Sequence, residues 1–468
     1  MKILIFSQHF PPETVATGRR AHDLAESLSA RGHHVTVVTG VPNHPSSLVH
    51  PGCGAAAGVD VVARRYRVVR VPVFRSTDSR ALHRLLTYGS FLLSAARDGL
   101  RQGSADLVLA VSPLPTGLAA MLVHWARRAP LVFDLQDIWP DSALAVGVMR
   151  PSLALRLLRG VERFFYRRCA LIVGITEGFR QYLLGLGIST ERVAVIHNGV
   201  DVEMLEGCKN SEEFRSAHLP GGKFVVGYVG NIGLAQGLEM LLDAAATLAD
   251  WPVTFLLTGE GTDKARLQTL ARIRGLTNLK FLDGVPRGSV PSILVACDAL
   301  LLVLRRDPLF EITIPSKLYE YMAAGKPILC SVGGEAASLV AAAQCGLPVT
   351  PSDGAALAAA IRKLCKDPVR CRVMGQMGRR FVRESFSRDH LMDDYSKLIE
   401  RLVSKTEEPA GWAVPPEVGT LYFQKIMNVF PRKLMADVTS SPLIATPASG
   451  QRRRAFSPTH EVKHRRVD

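Results

Sequence analysis

The 468-residue sequence lacks paired cysteines, long apolar runs and a full complement of acidic charge. Its eight cysteines, Cys53, Cys169, Cys208, Cys297, Cys330, Cys345, Cys365 and Cys371, form no C-x-x-C pair, and several lie inside apolar runs. That spacing argues against a zinc site or a disulfide framework and for reduced, buried thiols in a cytoplasm. No segment reaches the roughly 18 uninterrupted apolar residues of a membrane span. The opening "MKILIFSQHFPPE" breaks early at polar and proline residues and reads as a strand, not a signal peptide. Acidic residues number 42 against 57 Lys and Arg, for a net charge of +15. A basic globular body suits nucleic acid, an anionic membrane or a phosphorylated small molecule, and composition alone does not choose.

What is present is a regular alternation. "KILIFS" is a short apolar run, "RRAHDLAESLSARGH" has helical spacing ending at Gly32, and "HVTVVTG" is a second apolar run. This is a βαβ opening. "ADLVLAVSP", "PLVFDLQDIWP", "ALIVGIT" and "VAVIHNG" supply further buried strands. The pattern restarts at "FVVGYVGNIG" and continues through "VTFLLTGEG", "LKFLDGVP", "ALLLVL" and "GLPVTP". Two α/β halves with helix-covered parallel sheets are predicted. The first spans 1–198 and the second 199–385. Residues 386–404 form an amphipathic helix packing back toward the first half, and 405–468, rich in Pro, Ser and basic residues, read as a disordered tail. The segment 80–99, "RALHRLLTYGSFLLSAARDG", is basic at one end with Leu, Tyr and Phe at helical spacing; it suits either a membrane surface or an ordinary domain helix.

Doubly wound sheets bind ligands at the carboxyl ends of their strands, where helix N-termini point. In the first half, "HFPPETVATGRR" places Gly18 just before a helix, where a backbone can approach a phosphate. In the second half, "GNIGLAQG" follows the first strand, and "TIPSK" leads into a helix with Ser316 as expected N-cap and Lys317 as a point charge. Glu320, one turn in, projects back toward the helix start. It repels phosphate but can accept hydrogen bonds from a ribose. A carboxylate there also stabilises the helix dipole by about 0.3–1 kcal/mol with no ligand at all.

The phrases "FPPETVATGRRAHDLAESLSARGHHVTVVT", "VIHNGVD", "LTGEGTDKARLQTLA", "NLKFLDGVP" and "PSKLYEYMAAGKPIL" resemble, in this order, the retaining glycosyltransferases of family 4 over residues 1 to about 404. "DLQDIWPDS" and "GNIGLAQGLE" are most similar to the branch that builds bacterial surface polysaccharides such as O-antigen and capsule, including L-fucosamine transferases. The resemblance implies a GT-B architecture, two Rossmann-like domains facing a cleft. It also implies a nucleoside-diphosphate sugar donor, UDP-linked, and a saccharide acceptor carried on a lipid. Hexosyl or acetamidodeoxyhexosyl transfer is expected, with nucleic acid excluded as partner. The expected location is the cytoplasm, with peripheral contact to the inner face of the plasma membrane.

Family members carry two glutamates separated by seven residues. The second matches Glu320, which implies ribose binding; the first falls on Ile312, and Glu311 is one position off. An Arg and a Lys usual in the loop after the first strand of the second domain are replaced by Asn231 and Gln236. The diphosphate is therefore expected to meet Lys317, Arg305 and Arg306. A His that often faces the acceptor is replaced by Gln136, beside Asp137. The resemblance further implies donor contacts at Gly18, Val285 and Leu318, with Asp137 and Glu311 as catalytic candidates. No D-x-D triplet occurs, so no cofactor and no essential metal ion are expected. A non-catalytic nucleotide-sugar-binding subunit and a nucleotide-sugar 2-epimerase are the alternatives.

Overall fold

A computed structural model describes residues 1–13, 15–42, 58–63, 65–74, 81–147, 149–206, 208, 210–219 and 221–406. The tail expected over 405–468 lies, beyond residue 406, outside the described residues, as does Cys53.

The first sheet contains β1 Lys2–Ser7, β2 His34–Gly40, β3 Gly58–Ala63, β4 Tyr66–Val71, β5 Leu107–Val111, β6 Leu131–Leu135, β7 Leu171–Gly174 and β8 Val193–Val195. Their order across the sheet is β3-β4-β2-β1-β5-β6-β7-β8. All pairings are parallel except that of the edge strand β3 with β4, which is antiparallel. The second sheet contains β9 Phe224–Val229, β10 Val253–Thr258, β11 Leu279–Leu282, β12 Ala299–Val303, β13 Ile328–Ser331 and β14 Gly346–Pro348. It is wholly parallel, in the order β11-β10-β9-β12-β13-β14. These are two Rossmann-like domains in a GT-B arrangement.

Apolar runs without alternation become these strands because helices cover both faces. In β1, Ile3 and Ile5 join one buried cluster while Leu4 and Phe6 join another. β5 is buried at every position. Strand order reverses between β1 and β5 and again between β9 and β12. In such sheets the loops leaving those strands splay apart and leave a crevice.

The chain passes between the domains twice, and the two passes touch. Val200 N–H donates to Phe386 O at 3.0 Å, and Arg388 N–H donates to Val200 O at 3.2 Å. A side chain on Gly199 would meet Arg388 Cα at 2.7 Å, so only glycine permits this crossing. The last helix, Arg388–Thr406, then lies on the first, Ala16–Ala30. Ser27 and Ser396 share a 2.9 Å hydrogen bond, and Arg31 pairs with both Asp393 and Glu400. Leu391, Tyr395 and Ile399 are buried here. Apolar side chains of this size contribute about 1.5–3 kcal/mol each when fully buried.

Candidate functional site

The crevice of the second domain is built from the loops after β9, β10, β11 and β12. At the end of β9, Gly230 has φ +137°, and a side chain there would meet Lys317 Nζ at 3.0 Å. The helix Lys317–Ala323 is fixed against β9 by Tyr321, whose hydroxyl bonds both Val229 N–H and Val229 O. This lays the Lys317 side chain over the Tyr228 ring, with Nζ 4.1 Å from its centroid and 2.7 Å from its hydroxyl. The Tyr228 hydroxyl in turn donates to Asn231 O. No carboxylate forms an ion pair with Lys317 among the described residues, and burial pushes its pKa down to about 7.

The surrounding residues differ in part from expectation. Ser316 occupies the N-cap position but its side chain caps nothing. The Leu318 amide, expected free for a phosphate, donates to Pro315 O at 2.9 Å, and Leu318 itself is buried. Gln236 is spent on its own loop, accepting from Gly233 N–H at 3.0 Å. Asn231 is exposed beside it. Arg305 and Arg306 are exposed at the end of β12, and neither side chain is hydrogen-bonded or ion-paired among the described residues. Gly237 (φ +61°) lets the Arg305 stem pass close. Val285 is part-buried in the loop after β11.

Glu320 is not open, as the sequence suggested. Arg287 donates to its carboxylate at 2.6 Å. Glu311 ends the short helix Pro308–Glu311, its side chain against Gly333, and its carboxylate makes no hydrogen bond or ion pair among the described residues. Ile312, which stands where the family has glutamate, is buried. Its carbonyl accepts from Thr176 Oγ1 of the first domain at 2.8 Å, and it packs against Gly178, where a side chain would clash at 2.5 Å. The position is thus given to domain contact, which explains why a charge is absent there. A second link reaches the same first-domain helix from the helix Gly334–Ala342: the Glu335 carboxylate accepts from the Glu177 and Gly178 amides at 3.1 and 2.9 Å.

Across the crevice, Asp137 follows β6. Ser142 Oγ donates to it at 2.8 Å, and surrounding protein pushes its carboxyl above the usual range although the side chain still reaches solvent. Its neighbour Gln136 does not face an acceptor freely: it donates to Asp134 and accepts from Asn198 Nδ2. Asp134 is held by Arg20, fully buried. Gly18 corrects the reading of a glycine before a helix. The helix starts at Ala16, and the close approach at Gly18 is to the His9 and Phe10 backbone at 2.9 to 3.0 Å. Tyr228, Arg287, Thr176 and Glu335 escaped the sequence reading. Only Tyr228 had a local signal, an aromatic at the end of an apolar strand before a glycine loop. Among the described residues no group of three or more His, Cys, Asp or Glu side chains is placed to hold a metal ion.

The segment with membrane character is the helix Ala81–Leu100. Leu85 and Leu93 are 66% and 70% exposed, and Leu86 is also exposed. No described helix is long and apolar enough to cross a membrane. Arg80 and the Arg84 side chain lie outside the described residues.

This two-domain crevice matches known proteins. A glycosyl transferase 4-like domain matches residues 16–199, and the glycosyl transferases group 1 model matches residues 209–381. The two together cover most of the chain, which belongs to the GT-B glycosyltransferases of this family 4/group 1 superfamily. WcaI of Escherichia coli (strain K12), a glycosyl transferase provisionally assigned to colanic acid biosynthesis, is 28% identical over 341 residues, 69% of this chain and 82% of its own. Sucrose-phosphate synthase from Thermosynechococcus elongatus shares the fold at a TM-score of 0.69 and 19% identity, over 86% of this chain and 99% of that one. The Anabaena protein HepE, solved with UDP-glucose, shares it at 0.65 and 19% identity, over 86% and 100%.

Proposed function

We propose that this glycosyltransferase moves a sugar from a UDP-linked donor to a saccharide acceptor carried on a lipid, with retention, in surface polysaccharide assembly. The observation that carries the reading is Lys317: a half-buried ammonium with no ion-pair partner among the described residues, at the strand-order reversal, where a diphosphate would supply the charge. HepE's complex with UDP-glucose supports the donor class, and WcaI supports the polysaccharide setting.

In this reading the diphosphate lies between the Gly230 turn and Lys317, with Arg305 at its edge. Charge that builds on the leaving phosphate as the glycosidic bond breaks is stabilised by these cations. Glu320, released from Arg287, accepts from the ribose hydroxyls. Glu311 faces the sugar. The acceptor hydroxyl enters from the first-domain side, on the face the leaving group vacates. Its proton passes to the departing phosphate oxygen, while Asp137 orients the hydroxyl. The exposed leucines of the helix Ala81–Leu100 rest on an anionic membrane and present the cleft to a lipid-borne acceptor.

Two variants test the assignment. Glu320→Ala removes charge-assisted hydrogen bonds of about 1.5–3 kcal/mol in total, roughly 10- to 150-fold in affinity for both UDP and the intact donor. Glu311→Ala leaves UDP affinity nearly intact and lowers turnover. Calorimetric titration of UDP separates them; unchanged affinity in Glu320→Ala would make that carboxylate a purely structural helix residue.

A further inference from the structure

At the opposite end of the second sheet from the cleft lies an open pocket of about 500 Å³. It is formed where β9, β12 and β13 begin, at Phe224, Asp298 and Pro327, and is closed by the helix Pro368–Ser385. Four cations line it: Arg215, Lys223, Lys326 and Arg372. Arg215 is committed, donating to Asp298 at 3.1 and 2.9 Å and to Ala296 O at 2.7 Å. Asp298 also accepts from Val225 N–H at 2.8 Å, so this one lining carboxylate is saturated. The side chains of Lys223, Lys326 and Arg372 make no hydrogen bond or ion pair among the described residues.

Lys326 does not reach the pocket as a loose surface chain. Gly325 turns the chain out of the preceding helix at φ +67°. Arg379 donates to Ala323 O and Ala324 O at 3.0 and 2.9 Å, clamping that turn. Gly375 lets the helix Pro368–Ser385 press against it, since any side chain there would sit 1.9 Å from Gly325 O. Burial pushes the Lys326 pKa below its ordinary value; Asp298, already paired with Arg215, opposes this only in part. Beside the cations the walls are apolar, with Phe224, Pro252 and Leu364.

We propose that this pocket is a second ligand site, which binds a small phosphate-bearing anion: phosphate on Lys326, Lys223 and Arg372, and any attached ring on the apolar wall. Cations without hydrogen-bond or ion-pair partners among the described residues, lining a concave and partly apolar site, are what such a ligand requires. Cys365 and Cys371, which also line it, are pushed up to about 11 by burial, so the pocket carries no thiolate nucleophile.

Calorimetry on the full chain with inorganic pyrophosphate as probe tests this, with Lys317→Met removing the cleft's cation. Lys317→Met is expected to retain one pyrophosphate site per chain. Lys326→Ala/Arg372→Ala is expected to weaken that site roughly tenfold or more while leaving UDP binding intact. Lys223→Ala/Arg372→Ala changes exposed side chains alone and gives the same direction of loss if Lys326 proves needed for folding. Displacement by glucose 1-phosphate at lower concentration than by inorganic phosphate would identify a sugar phosphate as occupant, and the reverse order free phosphate. Pyrophosphate binding that Lys317→Met abolishes, or that both pocket variants leave unchanged, overturns the proposal.

Discussion

Lys317 Nζ sits 2.7 Å from the Tyr228 hydroxyl and above its ring, without an ion-pair partner among the described residues. Burial lowers its pKa to about 7, with Glu320 only partly opposing. A bound diphosphate supplies the missing charge and raises that pKa. The complex therefore holds more protons than the empty protein above pH 7, and affinity falls as pH rises. At pH 8, UDP binding should take up close to one proton, measured as the dependence of calorimetric enthalpy on buffer ionisation. Affinity should drop by up to about tenfold per pH unit above that. Lys317→Met should abolish the uptake and most of the pH dependence.

Arg287 and Glu320 form a part-exposed pair, 34% and 24% accessible. Pairs of this kind contribute about 0–1 kcal/mol. In the proposed role of Glu320, nucleotide binding must break or share it. Arg287→Ala should therefore tighten UDP by up to about fivefold, the opposite sign to Glu320→Ala. Fluorescence or calorimetric titration of both variants reads the difference. Tenfold weaker binding in Arg287→Ala would instead mean that the guanidinium itself contacts the nucleotide.

The elements that the sequence revealed are those whose physics is local. Runs such as "LVLAV" and "ALLLV" are buried on both faces, so their composition alone betrays a parallel strand. β4 was missed because arginines interrupt it. Arg70 is buried within the strand, its guanidinium donating to Pro11 O at 2.8 Å, a partner 59 residues away. The same distinction governs the site. Lys317 and Glu320 stand on one helix and could be read together. Arg287 reaches Glu320 from the loop after β11, and Thr176 and Glu335 reach their partners from opposite domains. Those contacts exist only once two sheets have formed and met, and single-residue identity does not encode them.

The helix Ala81–Leu100 gives a prediction independent of the cleft. Leu85 and Leu93 are eight positions apart on one side of the helix and largely exposed. An apolar side chain taken fully out of water contributes about 1.5–3 kcal/mol. Leu85→Ser/Leu93→Ser should therefore lower partition onto phosphatidylglycerol-containing vesicles by tenfold or more, with UDP affinity unchanged. Raising salt should weaken binding of the parent protein as well. Equal sedimentation of parent and variant with vesicles would reduce this helix to an ordinary domain element.

The last prediction concerns the contact that carries the family's displaced position. Glu335 accepts two amides at the start of the helix Glu177–Gly185, beside the Thr176–Ile312 bond. Burial raises its pKa to about 7; the two amide bonds oppose this and the Glu177 carboxylate reinforces it. In the unfolded chain a glutamate titrates near 4.3. Between roughly pH 4.3 and 7 the folded protein thus holds a proton that the unfolded chain has lost. Stability from this group is complete below that window and falls as pH rises through it. Glu335→Gln keeps the shape and one acceptor oxygen but cannot titrate. Urea midpoints of the parent protein should decline relative to Glu335→Gln from pH 5 to pH 7, and the gap should stay constant from pH 7.5 to 8.5. Parallel midpoints across the whole range would show that the Glu335 carboxylate keeps its ordinary acidity, and that the two amides compensate its burial in full.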